Sequence, residues 1–300
     1  MRWRSPSVAM SDRGQGPSPG RKAEGGPGQA ARQIPRLGMA LALLTGLLLA
    51  LAVPSRPAAA SPCDVPADLL DTALPLPATE RALASGTFRI LVIGSASVFG
   101  PGSTTPAHAW PARLEAALRE AQPNLQQPNP QQPNLQPAGL QLEVQVRGGR
   151  GMTAADMLST IQAATNPSPH LVIWQVGTVE AARGMEPDWL AGRLATGLEG
   201  LKERGIDAVL MDQQFSRFLR ANADIAPYQD TIRIAASAQG FAVFPRYELM
   251  RHWADTDRID LERAPRSGRA AMVDLLGECL GQAMSAYVLR GAAAAGQHRN

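Results

Sequence analysis

Short apolar runs alternate with amphipathic stretches from residue 88 onward. Residues 88–93 (FRILVI) and 170–176 (HLVIWQV) are largely apolar, as expected of strands buried on both faces, and residues 140–146 alternate apolar and polar positions. Two further runs, residues 206–211 and 241–244, complete a set of five predicted strands. Strands that alternate with helices predict a three-layer α/β sandwich with a mostly parallel sheet of about five strands.

The stretches between these runs have the periodicity of helices that cover a sheet. The predicted helices span residues 106–121, 153–164, 188–204, 228–239, 247–254 and 267–289. Thr153 is a predicted N-cap, because its hydroxyl can accept from the backbone of the first helical turn. Gly205 stands where a glycine in a left-handed conformation commonly ends a helix.

The first sixty residues lack this pattern. Residues 1–36 are rich in Gly, Pro, Ser, Gln and Arg and are predicted to be disordered. Residues 37–53 (LGMALALLTGLLLALAV) form an apolar run between a basic flank and an A-x-A site, which is typical of a secretory signal. Residues 37–60 are therefore predicted to be a signal peptide or, if uncleaved, an N-terminal membrane anchor. Both alternatives predict an exported protein, either periplasmic or secreted, or held at the inner membrane by residues 37–53.

The chain after residue 60 divides into three segments that differ in composition. Residues 61–84 are interpreted as an N-terminal linker, residues 85–290 as the folded domain and residues 291–300 as a flexible tail. Residues 122–136 repeat a five-residue Gln/Pro/Asn unit three times, and proline at every fifth position excludes helix and strand. This segment predicts an expanded surface loop, with a Pro-rich recognition motif as the alternative.

The charge pattern argues against nucleic-acid binding. The formal net charge is +3, but the leader carries the excess of arginine, and the chain after it is slightly acidic. A basic face with interleaved aromatic residues, which a nucleic-acid partner requires, is missing from the sequence after the leader. The membrane is an expected partner only through an uncleaved N-terminal segment.

Cys63 and Cys279 both follow the leader, where an oxidising compartment would permit a disulfide. In the alternative interpretation Cys279 is a small buried residue of a helix and Cys63 a terminal thiol. Neither a C-x-x-C pair nor a His/Cys cluster occurs, so the sequence predicts no metal site.

The loop after the first predicted strand holds the first chemical motif. It reads GSASVFGPGS over residues 94–103, at the end of a strand where α/β proteins place their sites. It resembles the first block of the SGNH/GDSL hydrolases, in which a G-D-S or G-S-S triplet is followed by a glycine four residues later. The resemblance implies that the third residue of the triplet is the nucleophilic serine, and in this chain that residue is Ala96.

Three later segments resemble the other blocks of the same family. Residues 146–156 (VRGGRGMTAAD) retain Gly151, whose backbone N–H would be an oxyanion-hole donor. In residues 177–181 (GTVEA), Val179 takes the place of the asparagine that would be another donor. The segment DRIDL keeps a triad acid, Asp257, and has Asp260 in place of the histidine base.

The resemblance implies an SGNH-hydrolase-like, flavodoxin-like fold, ester, acetyl-ester or lipid-ester hydrolysis as the ancestral chemistry, and no cofactor. Loss of a nucleophilic serine or its histidine lowers turnover on the order of a millionfold. The first hypothesis is therefore a non-catalytic relative that binds an acylated or glycan-like ligand or an envelope protein. Its pocket is expected around Gly94, Arg150, Gly177 and Asp212, beside Gly151 and Val179.

Two alternatives remain open. An active ester hydrolase could use a displaced nucleophile, Ser95 or Ser97, with His252 as a candidate base, whereas His108 is predicted at the surface. A structural protein of the cell envelope would need no pocket and predicts a filled cleft.

Overall fold

The computed structural model describes residues 61–71, 74–121 and 140–297, which all belong to one compact unit. The disordered leader, the apolar run of residues 37–53 and the Gln/Pro/Asn-rich segment, all predicted from sequence, lie outside the described residues. Within the described part of the chain, no helix is both long enough and apolar enough to cross a membrane.

Five strands form the sheet, and every pair of neighbours runs parallel. The strands are β1 (Thr87–Gly94), β2 (Gln141–Gly148), β3 (Leu171–Gln175), β4 (Asp207–Met211) and β5 (Ala242–Phe244). Their order is β2-β1-β3-β4-β5, so the predicted α/β fold with a mostly parallel five-stranded sheet is confirmed. This order reverses direction between β1 and β3, and such a switch point leaves a crevice at the carboxyl ends of the strands.

Nine helices lie within the described residues. They are α1 (Pro77–Ser85), α2 (Trp110–Glu120), α3 (Ala154–Ala163), α4 (Thr178–Ala182), α5 (Pro187–Glu203), α6 (Arg217–Asn222), α7 (Ala226–Gln239), α8 (Arg246–Asp255) and α9 (Arg269–Gln297). Helices α1, α2 and α9 pack together, as do α3, α5 and α7, so the sheet lies between two helical layers. Short 3-10 turns at Ala96–Phe99 and Pro106–His108 connect β1 to α2.

Local signals in the sequence explain several helix ends. Thr153 caps α3 in a capping box with Asp156, whose Oδ2 accepts from the Thr153 backbone N–H at 2.8 Å. Gly205 follows α5 with a φ of +64°, a conformation that costs glycine little. Both predictions made from these residues are confirmed.

The segment before the sheet contributes to the core. Residues 61–84, predicted as a linker, contain a 3-10 turn at Ala67–Leu70 and most of α1, and they bury Leu70, Leu76 and Ala82. The backbone N–H of Thr79 donates to Asp207 Oδ2 at 2.7 Å, which ties α1 to β4. Helix α1 is short and begins at a proline, so it shows little periodicity in the sequence.

Helix α9 lies very close to the segment around α2. A Cβ on Gly277 would lie 2.0 Å from the carbonyl oxygen of His108, and a Cβ on Gly281 would lie 2.5 Å from Arg113 Cβ. Only glycine permits this approach, which places α9 beside the turns that follow β1. A disulfide joins Cys279 of this helix to Cys63, over a sequence separation of 216 residues.

Removing this disulfide tests its contribution to stability. The variant Cys63→Ala/Cys279→Ala is expected to lower the free energy of unfolding by about 2–5 kcal/mol, because the bond restricts the unfolded chain over a long loop. Urea unfolding followed by circular dichroism measures the change. Equal midpoints for the variant and the non-reduced protein would contradict this expectation.

Candidate functional site

A cavity of about 280 Å³ lies beyond the carboxyl ends of the strands, between the turns after β1, the loop after β4, and helices α8 and α9. Its apolar wall includes Trp110, Phe215, Met250, Val273, Leu276 and Leu280. Its polar residues include Ser97, His108, Gln214, Ser216, Arg246 and Glu262. A mostly apolar cavity with a few converging polar groups is typical of a small-molecule site.

Ser97 is bonded across the switch point of the sheet. Its hydroxyl lies 2.9 Å from Gln175 Oε1, to which it can donate, and 2.7 Å from Gln175 Nε2, which can donate to it. Gly94 permits this contact, because a Cβ there would lie 2.6 Å from Val98 Cγ1 and 3.0 Å from Gln175 Cβ. The ends of β1 and β3 are thus joined through one serine and one amide.

Arg246 is a buried cation in the cavity wall, with 1% of its surface exposed. It donates from Nη2 to Thr178 Oγ1 at 3.1 Å and from Nη1 to Ser97 Oγ at a long 3.4 Å, whereas Nε has no partner. No described carboxylate forms a salt bridge with Arg246, but the charge of the buried Asp212 acts on it and favours the charged guanidinium. Burial lowers the pKa of Arg246 to about 10, so the guanidinium stays charged at neutral pH.

Asp212 lies at the end of β4, beneath the first turn of α8. Its Oδ1 accepts from the Tyr247 backbone N–H at 2.9 Å. Burial raises the pKa of Asp212 to about 7, although this hydrogen bond and the charge of Arg246 both act to lower it. The neighbouring Gln213 side chain is fully buried, and neither its Nε2 nor its Oε1 has a hydrogen-bond partner.

His108 is held at the cavity by an aspartate. Its Nδ1 lies 3.0 Å from Asp274 Oδ2 and 2.7 Å from Thr104 Oγ1, and the Thr104 hydroxyl donates to the same carboxylate at 2.6 Å. The sequence predicted His108 at the surface, yet it is partly buried and lines the cavity. Its partner lies on α9, far away in the sequence, so no local pattern indicates the contact.

The positions that the family resemblance singles out lie outside this cavity wall. Ala96 begins the 3-10 turn that carries Ser97, and Val179 is half-buried in α4. Gly151 has a φ of +75°, and a Cβ there would lie 2.8 Å from Arg183 Nη2, so Arg183 lies against it. The cavity therefore opens on the Ser97 side of the turn.

Four residues expected to line the pocket also lie elsewhere, which corrects that expectation. The space beside Gly94 is occupied by Val98 and Gln175, and Gly177 packs against Gln213 and Ile232. Arg150 is exposed, and Asp212 is covered by α8. The close approach of α9 instead brings its own residues, Val273, Leu276 and Leu280, into the cavity wall.

Asp260 is an ion-paired carboxylate. Its Oδ2 lies 2.6 Å from Arg217 Nη1, and its Oδ1 accepts from the backbone N–H groups of Glu262 and Arg263. Burial alone would raise the pKa of Asp260, but these hydrogen bonds and the Arg217 charge hold it below its usual range. A carboxylate stabilised in its charged form is a poor proton acceptor.

The other candidate catalytic residues, Asp257, His252 and Ser95, make no hydrogen bonds within the described chain of the kind that link a catalytic triad. Asp257 has a φ of +54° and a side chain that is 82% exposed, with Arg263 as an ion-pair partner at 3.5 Å. Its exposure leaves it unable to orient a base from within a buried site. His252 is half-buried on α8, where its backbone carbonyl accepts from Thr256. Ser95 precedes the 3-10 turn without a capping hydrogen bond from its side chain.

Among the described residues, no group of three or more His, Cys, Asp or Glu side chains could hold a metal ion.

Asp212 makes the stability of the protein depend on pH. The pKa of an aspartate in an unfolded chain is about 3.9, so between about pH 4 and pH 7 the folded protein holds a proton that the unfolded chain has lost. Stability conferred by the protonated form is complete below pH 4 and is lost as the pH rises through 7. Asp212→Asn keeps the acceptor for Tyr247 and cannot ionise. Its free energy of unfolding relative to wild type should therefore rise across this range, on the order of a few kcal/mol.

Urea unfolding at pH 4, 5.5, 7 and 8 measures this difference. The exposed Asp255→Asn is the matched control for loss of a carboxylate. A difference between Asp212→Asn and wild type that stays constant from pH 4 to pH 8 would contradict the expectation.

Solved structures similar to this chain include several ester hydrolases. A proposed lipolytic protein of the G-D-S-L family from Desulfitobacterium hafniense DCB-2 is 16% identical, with a TM-score of 0.45, over 65% of this chain and 98% of the other. The SGNH-hydrolase family esterase AlinE4 is 21% identical, with a TM-score of 0.44, over 61% and 89%. The lipase/acylhydrolase from Enterococcus faecalis is 15% identical, with a TM-score of 0.44, over 66% and 96%. These low scores carry no conclusion about activity.

Among curated proteins, no significant match to the chain is found. The model of the non-GDSL lipase-like family, in contrast, matches residues 62–294, which is nearly all of the chain after the leader. The predicted SGNH/GDSL-like membership is thereby confirmed, and this chain belongs to the non-GDSL lipase-like family.

Proposed function

We propose that this protein is a non-catalytic member of its family that binds a ligand in the cavity beside Ser97 and Arg246. The proposal rests on the hydrogen bonds of Ser97. This serine lines the cavity and directly follows Ala96, the expected nucleophile position. Ser97 is bonded to the amide of Gln175 at 2.7 and 2.9 Å. An amide cannot accept the proton that a serine must lose to attack an ester.

The positions equated with the catalytic residues support the same proposal. Ala96 and Val179 have no group that could attack or donate, and Asp260 is bonded to Arg217. Removal of a serine or histidine from such a triad costs on the order of a millionfold in turnover. An open cavity in a chain that lacks these groups is suited to binding rather than to hydrolysis.

The ligand is proposed to carry an acyl or similar apolar group. Trp110, Met250 and Leu276 supply an apolar wall, which favours an acylated ligand over a glycan-like one. An envelope protein remains a candidate partner only if it inserts a side chain of this kind.

An active ester hydrolase is the second candidate, because Ser97 and His108 line the same cavity and Asp274 holds the imidazole. In that case His108 would take the proton of Ser97 after rearrangement of the Gln175 hydrogen bonds. His252, the base suggested by the sequence, is not part of the cavity wall.

Hydrolysis of p-nitrophenyl acetate and p-nitrophenyl butyrate separates the two candidates. Wild type is expected to match the buffer rate, and so are Ser95→Ala, Ser97→Ala, His108→Ala and His252→Ala, because no base is bonded to a serine. A wild-type rate well above buffer that Ser97→Ala and His108→Ala both abolish would establish the hydrolase and overturn the binding proposal.

We also propose export of the protein to the periplasm or cell exterior, with residues 37–60 as its signal. The disulfide between Cys63 and Cys279 supports an oxidising compartment. Mass spectrometry of the protein recovered from the producing cells is expected to give a chain that begins at Ser61. A chain that retains residues 37–60 in the membrane fraction would instead support the anchored alternative.

A further inference from the structure

Arg246 forms no salt bridge in the cavity wall, and its nearest electrostatic partner is the buried Asp212, which lies outside the cavity lining. A buried guanidinium is normally paired with a carboxylate, because its transfer from water costs several kcal/mol. Here the side chain is 1% exposed and has two hydroxyl groups, of Ser97 and Thr178, as its hydrogen-bond partners. Two of its five N–H groups donate to these hydroxyls, and the other three, including the one on Nε, have no hydrogen-bond partner among the described residues.

The other charged groups around the cavity are already bonded. Glu262 accepts from the Ser216 hydroxyl and from the backbone N–H groups of Arg217 and Phe218, so its carboxylate is held away from Arg246. His108 is bonded to Asp274. Arg246 is therefore the one cation among the described lining residues that has no carboxylate bonded to it, and Asp212, its electrostatic partner, is not part of the cavity wall.

The rest of the cavity fits an apolar chain of limited length. Met250 follows Arg246 by one helical turn on α8, and Trp110, Leu276 and Leu280 continue the apolar wall. A volume of about 280 Å³ suits a small molecule with an apolar chain and one polar head.

We propose that the cavity binds a short- to medium-chain carboxylate, with its carboxylate on the Arg246 guanidinium and its carbon chain along Trp110, Met250 and Leu276. This inference rests on the proposed binding function and names its ligand class. A planar guanidinium matches the two oxygens of a carboxylate. A phosphate group, with its higher charge, would call for a second free cation, which the described wall lacks.

Calorimetric titration of the purified protein with sodium octanoate tests the inference. Octanol and octyltrimethylammonium serve as neutral and cationic probes of the same length. Octanoate is expected to bind at least about tenfold more tightly than either, since a hydrogen bond to a charged group contributes about 1.5–3 kcal/mol. Arg246→Met should lose at least about tenfold in affinity for octanoate, Arg246→Lys should lose less, and Arg193→Met, an exposed control on α5, should bind as wild type.

A stability measurement shows whether Arg246→Met is folded, so that a loss of binding can be assigned to the missing guanidinium. Circular dichroism and a melting temperature establish that Arg246→Met is folded, and Arg246→Lys keeps a positive charge near the buried Asp212. A folded Arg246→Met that binds octanoate as wild type does would overturn the inference, as would a wild type that does not bind octanoate.

The two proposals fail in different ways. If octanol binds at least as tightly as octanoate and Ser97→Ala changes no hydrolysis rate, the carboxylate inference is wrong and the binding function stands. If octanoate esters are hydrolysed in a Ser97-dependent manner, the binding function itself is wrong.

Discussion

The contact between Ser97 and Gln175 joins two parallel strands at the point where the order of the sheet reverses. Parallel strands all end at the same edge, so the polar residues that follow β1, β3, β4 and β5 meet in one place. Away from water, these groups must bond to one another. Gln175 donates to Ser97, Arg246 donates to the hydroxyls of Ser97 and Thr178, and the Nε of Arg246 has no partner among the described residues.

The 3-10 turn after β1 determines which side chain reaches the cavity. A 3-10 helix has three residues per turn, so consecutive side chains such as Ala96 and Ser97 point about 120° apart. Ser97 lines the cavity, whereas Ala96, Gly151 and Val179 are not among its lining residues. A shift of one residue along the turn therefore changes whether a side chain lines the cavity.

Much of the fold follows from local sequence. Buried strands such as β3 are continuous apolar runs, and Thr153 and Gly205 act at their helix ends as their chemistry predicts. The cavity could not be predicted in the same way. Arg246 lies in an amphipathic helix where an arginine normally faces solvent, and its burial depends on packing against segments distant in the chain. The contact of His108 with Asp274 likewise depends on the glycines that bring α9 close, and spacing along the chain does not reveal it.

The bond between Cys63 and Cys279 closes a covalent ring over nearly all of the chain after residue 62. The Gln/Pro/Asn-rich segment between α2 and β2 lies within that ring by sequence. A protease that cuts the backbone there opens the ring but releases no fragment, because both pieces remain linked through the two sulfur atoms. The protein can thus be cut once inside the ring and still diffuse as a single molecule, so its integrity depends on the thiol chemistry of its surroundings as well as on its peptide bonds.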